Sequence, residues 1–486
     1  MDKLKELLVS GLVAYPQSFN QTDGLEVFMV KENHKDVLIV LGEKRLLFKG
    51  EDHAGGIPFV KAPLVHENAD LLRKLFPFTK PVPVLRQKRS FGVGDRLGIA
   101  CPGHIRVFKE YDAYPVFAQQ SIRELNLTDR TYADVLDAAT FAVFRDGYKG
   151  GFGADGDHLK KREEIEYALG LGFTMITLDC SEHIRNDVIQ MSAREVKKAS
   201  TIAKETKDRY LNKRFEIEGV EIIFDEETLM RAHLIYDKAI NFATAIYKEY
   251  FLDKKANADF EVSIDETMTP TEPAQHFYVA SELVHNGVKI DTMAPRFCGE
   301  FQKGVDYIGD IGQFEKEIAI HAKIARHFGY KLSIHSGSDK FSVFPLIGKY
   351  TNGNFHVKTA GTNWLEAMRT VASCDPALYR EVHKYALSMF AEAKKYYHVT
   401  TDLSKIPDVD NLTDHELVDL LTQNDARQLI HITYGFILNA KGERGNYRFK
   451  DRLYRLWREQ EDIYSEMLYR HIGKHLALLY SGFSQR

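Results

Sequence analysis

Residues Gln313–Phe341 read QFEKEIAIHAKIARHFGYKLSIHSGSDKF. Phe314, Ile318, Ile324 and Phe328 recur at helical spacing and share one stripe, and Gly329 stands where a C′ glycine ends a helix. KLSIH (331–335) then reads as a short buried strand, and Ser336–Phe341 as a polar turn. An amphipathic helix, a glycine stop, a buried strand and a polar loop together make one unit of an α/β fold.

Working outward, the same alternation extends over about residues 95 to 375. The apolar runs are LGIAC (97–101), PVFAQ (115–119), GGFGA (150–154), FTMITLD (173–179), FEVSID (260–265), VKIDTMA (288–294), KLSIH (331–335) and NFHVKT (354–359). They read as apolar throughout, which suits parallel strands covered on both faces. Eight strand-then-helix units over this length predict a (β/α)8 TIM-like barrel, assigned to residues 91–375. Residues 182–259 are too long for a simple connection. Two helical stretches there flank RFEIEGVEIIF, a hairpin turning at Glu218-Gly219, so this is read as an insertion. Residues 1–90 predict an N-terminal α+β unit, joined through the proline-rich PFTKPVPVLRQKRS. Residues 376–486 predict a helical extension packed on the barrel, with Thr413–Glu416 as a capping box.

Composition narrows the functional classes. A net charge of −4 offers no basic field for nucleic acid. Cys101, Cys180, Cys298 and Cys374 are dispersed, which disfavours both a disulfide framework and a thiolate zinc site. No apolar run reaches the roughly 18 residues of a membrane span. MDKLKELLVSGLVAY lacks a cleavage signature, so a cytoplasmic location is expected.

Barrels work at the C-terminal ends of their strands. Those ends carry Asp179 and His183 (fourth), Glu266 (fifth), Arg296 (sixth), His335, Asp339 and Lys340 (seventh), and His356 and Lys358 (eighth). Imidazole and carboxylate from separate strands suit one divalent cation, zinc first, with manganese, cobalt or nickel as alternatives. The expected ligands are Glu266, His335 and His356; Asp265, facing the other way from Glu266, is the alternative carboxylate. Asp179 is expected either as a fourth ligand or as the acid/base group, and Lys358 and Asp339 are the other expected catalytic groups. Arg296, Lys340, His183, Asp155 and His158 are the expected substrate contacts. Against this stand structural readings: a single strand-end histidine is more often a hydrogen-bonded core residue, and Asp157 in GADGDHLKK fits a helix N-cap. His321 and His327 fall on a helix and are assigned to packing or solvent. FGVGDRLG (91–98) has a dinucleotide-like glycine rhythm but is read as preceding a strand, which argues against a Rossmann turn.

SFGVGDRLGIACPGH, GFGADGDHLK, VSIDET, SIHSGSDKFSVFP and FHVKTAGTNWLE together resemble the tagaturonate/fructuronate epimerase family. The resemblance covers most of the chain. It implies a metal-dependent barrel isomerase acting on a ketohexuronate, with fructose and tagatose as further substrates of some members; whether such an enzyme oligomerises is left open. The alternative is a barrel metal-dependent hydrolase, although LGIACPGH lacks the HxH pair such enzymes often carry. A non-catalytic sugar-binding barrel would not need ionisable groups on five strand ends.

Overall fold

The structure, a computed structural model, describes residues 12–483. Eight parallel strands close into a barrel: β1 (Arg89–Val93), β2 (Tyr114–Ser121), β3 (Gly153–Leu159), β4 (Met175–Asp179), β5 (Asp259–Ser263), β6 (Thr292–Ala294), β7 (Lys331–Ile334) and β8 (Phe355–Thr359). β8 pairs with β1 from Phe355↔Arg89 to Thr359↔Val93, which seals the sheet. The fold is a TIM-like (β/α)8 barrel.

The helix before β7 runs Ile311–Phe328 and ends on Gly329, whose φ of 79° is the left-handed conformation a C′ glycine supplies cheaply. Two strand readings are corrected. LGIAC is not the first strand. Asp95 accepts hydrogen bonds from the backbone N–H groups of Leu97, Gly98 and Ala100, and this turn leads into the helix Cys101–Phe108. The strand is RSFGV, hidden in sequence by the basic cluster before it. The glycine loop therefore follows a strand, so the positional argument against a dinucleotide turn falls; closure of the barrel excludes the Rossmann sheet instead. The third strand is Gly153–Leu159, so Asp157 lies in a strand and caps no helix.

The strands also alternate more than their composition suggests. Phe91, Phe260, Val262, Leu332, Ile334, Phe355 and Val357 pack outward against the helices. Asp155, Thr177, Glu261, Thr292 and Lys358 are buried and bonded to one another inside the barrel. TIM barrels usually fill this space with branched apolar side chains. Here the interior is a polar network, so its hydrogen bonding must be complete or assisted by a ligand.

Around the barrel, an antiparallel six-stranded sheet between Val13 and Ala62 shares a core with Phe141 and Phe144 of the helix Tyr132–Arg145, which lies between β2 and β3. The hairpin Lys213–Ile217/Val220–Phe224 and the helix Glu226–Ile246 lie between β4 and β5. Beyond β8, helices build a second core around Trp364 and Trp457. The last of them, Glu461–Ser481, packs on Cys101–Phe108 so closely that Gly103 has no room for a Cβ, which would lie 2.8 Å from that of Leu468. Eleven residues of the N-terminal stretch MDKLKELLVSGLVAY precede the described region.

Candidate active site

Glu261, the middle residue of β5, organises the barrel interior. Its carboxylate accepts from Nε2 of His335 at 2.7 Å, Oγ1 of Thr292 at 2.6 Å and Oγ1 of Thr177 at 3.1 Å, with Lys358 Nζ at 3.4 Å. Lys358 also reaches Asp155 at 2.7 Å and Asp157 at 2.5 Å. Burial works against the Lys358 ammonium, but the Asp155 and Asp157 carboxylates outweigh it and hold its pKa above the ordinary lysine value. Lys358 is thus a fixed counter-charge to three carboxylates.

Above this layer, one donor atom each from His158, Asp265 and His335 lie within 4.8 Å of one another. Each reaches its position for a local reason. In regular alternation His158 would face away from Asp157. A register shift between β3 and β4 and a φ of 57° at His158 turn it inward, the re-aiming that bulges produce beside active sites. Asp265 is held by the hydroxyl of Ser263. His335 directly follows β7, and Ser336 takes a φ of 49° to release the chain into the loop.

The electrostatics match the geometry. Burial disfavours charge on His335, yet the Asp265 and Glu261 carboxylates hold its pKa up at about 10. Burial also opposes ionisation of Asp265, but His335 and His158 pull it well below the usual carboxylate range. Asp157 accepts from Nδ1 of His158 at 2.7 Å and is likewise held low, mainly by Lys358 against burial. Of these carboxylates, Asp155 moves upward, to about 6, because burial exceeds the pull of Lys358.

This donor set fits a divalent cation. His335 Nδ1 is buried, 3.3 Å from Asp265 and without a hydrogen bond among the described residues, while Nε2 is anchored on Glu261. His158 anchors Nδ1 on Asp157, which leaves Nε2 for a ligand. Carboxylates on the far nitrogens are what orient histidines toward a metal and raise their basicity.

The expected residues separate accordingly. Of the three strand-end ligands, only His335 joins the cluster. Glu266 is exposed, and its neighbour Asp265 stands there instead. His356 lies a layer lower, Nδ1 3.0 Å from Ser90 Oγ, its pKa pushed down to about 3 by burial. His158, expected to touch substrate, is placed as a donor, and Asp155 lies beneath, shut in by Lys358. Asp179 sits beside Ser263 in the β4–β5 register, accepts from the Ser181 N–H at 2.8 Å and has Lys160 Nζ at 3.5 Å.

The remaining expected residues are used by the scaffold. Asp339 pairs with Arg427 at 2.9 Å and His471 at 2.6 Å, and its own N–H donates to His475. With those groups filling its bonds, Asp339–His471–His475 is a tie between the β7 loop and the last helix. Lys340 donates to the carbonyls of Gln302, Val305 and Ser338. Arg296 donates to the Thr267 carbonyl, and His183 packs against Phe242 with tilted rings whose centroids are 4.2 Å apart. Sequence reasoning missed Glu261 and the role of Asp157; the available signal was acidic residues in mid-strand, where burial demands a partner.

Imidazoles and carboxylates converging at the C-terminal mouth of a closed barrel define a (β/α)8-barrel enzyme. Residues 15–479 match the tagaturonate epimerase family. The chain is 44% identical over 475 residues to a tagaturonate/fructuronate epimerase of Thermotoga maritima, covering 96% of this chain and 97% of that one. A glycerol-complexed crystal structure of the fructuronate-tagaturonate epimerase of Cohnella laeviribosi superposes with a TM-score of 0.95 at 51% identity, covering 98% of this chain and 99% of that one. The native crystal structure from the same organism gives 0.95 at 50% identity, covering 98% of each chain. The chain belongs to the tagaturonate epimerase family and is an isomerase. The hydrolase reading is thereby set aside; His104, its nearest candidate in LGIACPGH, is buried in the helix Cys101–Phe108.

Proposed function

We propose that this protein interconverts D-tagaturonate and D-fructuronate by inverting C4, using one divalent cation held by His158, Asp265 and His335. The observation that carries the metal assignment is the pair of histidines, each anchored through one nitrogen on a buried carboxylate with the other nitrogen turned to the cluster. Zinc suits this set best, with manganese, cobalt and nickel as alternatives. When bound, the cation supplies a Lewis acid for the ketone and hydroxyl oxygens of the substrate.

C4 is β to the ketone, so its C–H bond is not acidified and simple proton exchange cannot invert it. Retro-aldol chemistry can. Asp179 takes the C4 hydroxyl proton, the C3–C4 electron pair moves toward the ketone to form an enediolate, and a three-carbon aldehyde is released within the site. After the aldehyde rotates, the enediolate re-adds to its other face and Asp179 returns the proton. The Glu261–Lys358–Asp157 network holds the imidazoles in register throughout. A barrel mouth built on a polar interior supports this role for Asp179, which borders Ser263 and the Asp265 cluster.

Among the described residues no helix is long and apolar enough to cross a membrane, and the four cysteines are free thiols. The free thiols support a cytoplasmic enzyme. Incubation with D-tagaturonate, followed by chromatography or NMR, should yield D-fructuronate; no conversion by metal-replete protein would overturn the reading. Substrate deuterated at C4 should react without a primary isotope effect, since that C–H bond stays intact. A primary effect would replace retro-aldol cleavage with transient oxidation.

A further inference from the structure

Resting on the substrate reading above, we infer that Lys303, on the loop after β6, is the residue that binds the substrate's carboxylate. The loop emerges at the C-terminal mouth, and the Lys303 ammonium donates to Ser336 Oγ at 3.1 Å. Ser336 directly follows His335, so this cation lies on the rim of the His158–Asp265–His335 cluster.

Of the other cations around the mouth, Arg123 is exposed and lies over the Tyr397 ring, and the rest already have their acceptors. Lys358 has three carboxylates. Arg96 has Glu124 at 2.7 Å, and Arg427 has Asp339. Lys340 is consumed by backbone carbonyls, and Arg296 by that of Thr267. Lys160 approaches Asp179 at 3.5 Å and Glu182 at 3.9 Å. Lys303 is half-buried, and among the described residues it has a hydroxyl but no carboxylate within ion-pair distance. Burial pulls its pKa down, with Arg123 and Arg96 adding to the pull and Glu124 and Asp157 opposing it. A desolvated ammonium without a counter-ion is costly unless a ligand supplies one.

The loop is also held rigid. Lys340 fixes the carbonyls of Gln302 and Val305, Arg427 Nε donates to Gly304 O at 2.7 Å, and Gln428 Nε2 donates to Lys303 O at 3.2 Å. Thr400 Oγ1 donates to Oε1 of Gln302 at 3.0 Å. The ammonium is therefore placed before substrate arrives, which lowers the ordering cost of binding an anion. Lys340 acts here as a positioning residue for Lys303.

Calorimetric titration of the metal-replete enzyme with D-galactonate and with galactitol tests this directly, since the two polyols differ at the carboxylate end. Wild type should bind the aldonate more tightly. Lys303→Met should weaken the aldonate about tenfold or more and leave the alditol within about twofold, with Lys303→Arg retaining most of the preference. With D-tagaturonate, Lys303→Met should raise KM far more than it lowers kcat. Circular dichroism and Tm confirm folding, and Lys303→Gln replaces the methionine variant if that one does not fold. Equal loss for both polyols, no loss for either, or no aldonate preference in wild type overturns the assignment. The titration needs no turnover, so an inactive wild type would overturn the epimerase reading while the binding comparison still decides Lys303.

Discussion

Nε2 of His335 bonds Oε1 of Glu261 at 2.7 Å, and that contact turns Nδ1 of the same ring toward Asp265 at 3.3 Å. It joins the barrel interior to the mouth, because the carboxylate that orients the imidazole is itself held by Thr177, Thr292 and Lys358.

Exhaustive chelation is expected to abolish epimerisation, and a divalent cation to restore it. Glu261→Gln should lower metal affinity by about 10–100-fold without removing a ligand, because the orientation and basicity of His335 are lost. Metal-competition titration checks the affinity; activity that survives chelation would remove the cation from the mechanism.

Asp265 and Glu266 are adjacent in sequence and separate in space. Asp265→Asn should abolish stoichiometric metal binding, whereas Glu266→Ala, at an exposed position, should retain it. Elemental analysis of the two purified variants distinguishes them, and metal loss confined to Glu266→Ala would restore the strand-end ligand set.

Lys358→Met would strand Asp155, Asp157 and Glu261 together without their cation. Breaking a buried ion pair from one side costs about 3–5 kcal/mol, so chemical denaturation should show a loss of that order. Adding Asp155→Asn should recover part of it, since one uncompensated charge is then gone.

His104 is buried, and neither ring nitrogen has a hydrogen-bond partner among the described residues. Burial pushes its pKa down to about 4, against about 6.5 for an ordinary histidine. Between those values the unfolded chain holds a proton that the native state lacks, so this histidine's contribution to stability falls as pH drops through the window. The slope for one such proton is about 1.4 kcal/mol per pH unit. His104→Leu should flatten the decline in Tm between pH 6.5 and 4 and change little at pH 8. An unchanged acid slope would mean that His104 finds a partner for its proton.

Much of the fold was legible in local pattern. The helix Ile311–Phe328 with its Gly329 stop, the strand after it and the hairpin at Glu218-Gly219 depend on periodicity and turn chemistry, which act over a few residues. The first strand was obscured for a physical reason. RSFGV begins in a basic cluster, while LGIAC is more apolar yet turns into a helix because Asp95 captures its leading N–H groups. In the candidate site, strand-end position pointed to His335, which the structure groups with His158 and Asp265, and to Glu266, which is exposed; it passed over the buried Glu261.

The amino-acid sequence by itself determined the α/β alternation, the mouth at which ionisable groups gather and the family resemblance, since these follow from short-range order along the chain. Only the tertiary structure decided which groups face one another. The bulge that turns His158 inward depends on the register between two strands, and the pairing of His335 with Glu261 joins residues 74 positions apart. The same holds for the cations. Lys340 and Lys303 are both lysines in polar loops, and one is enclosed by backbone carbonyls while the other donates to the hydroxyl of Ser336, next to His335. That difference arises from packing between the loops of neighbouring strands, which no local pattern encodes.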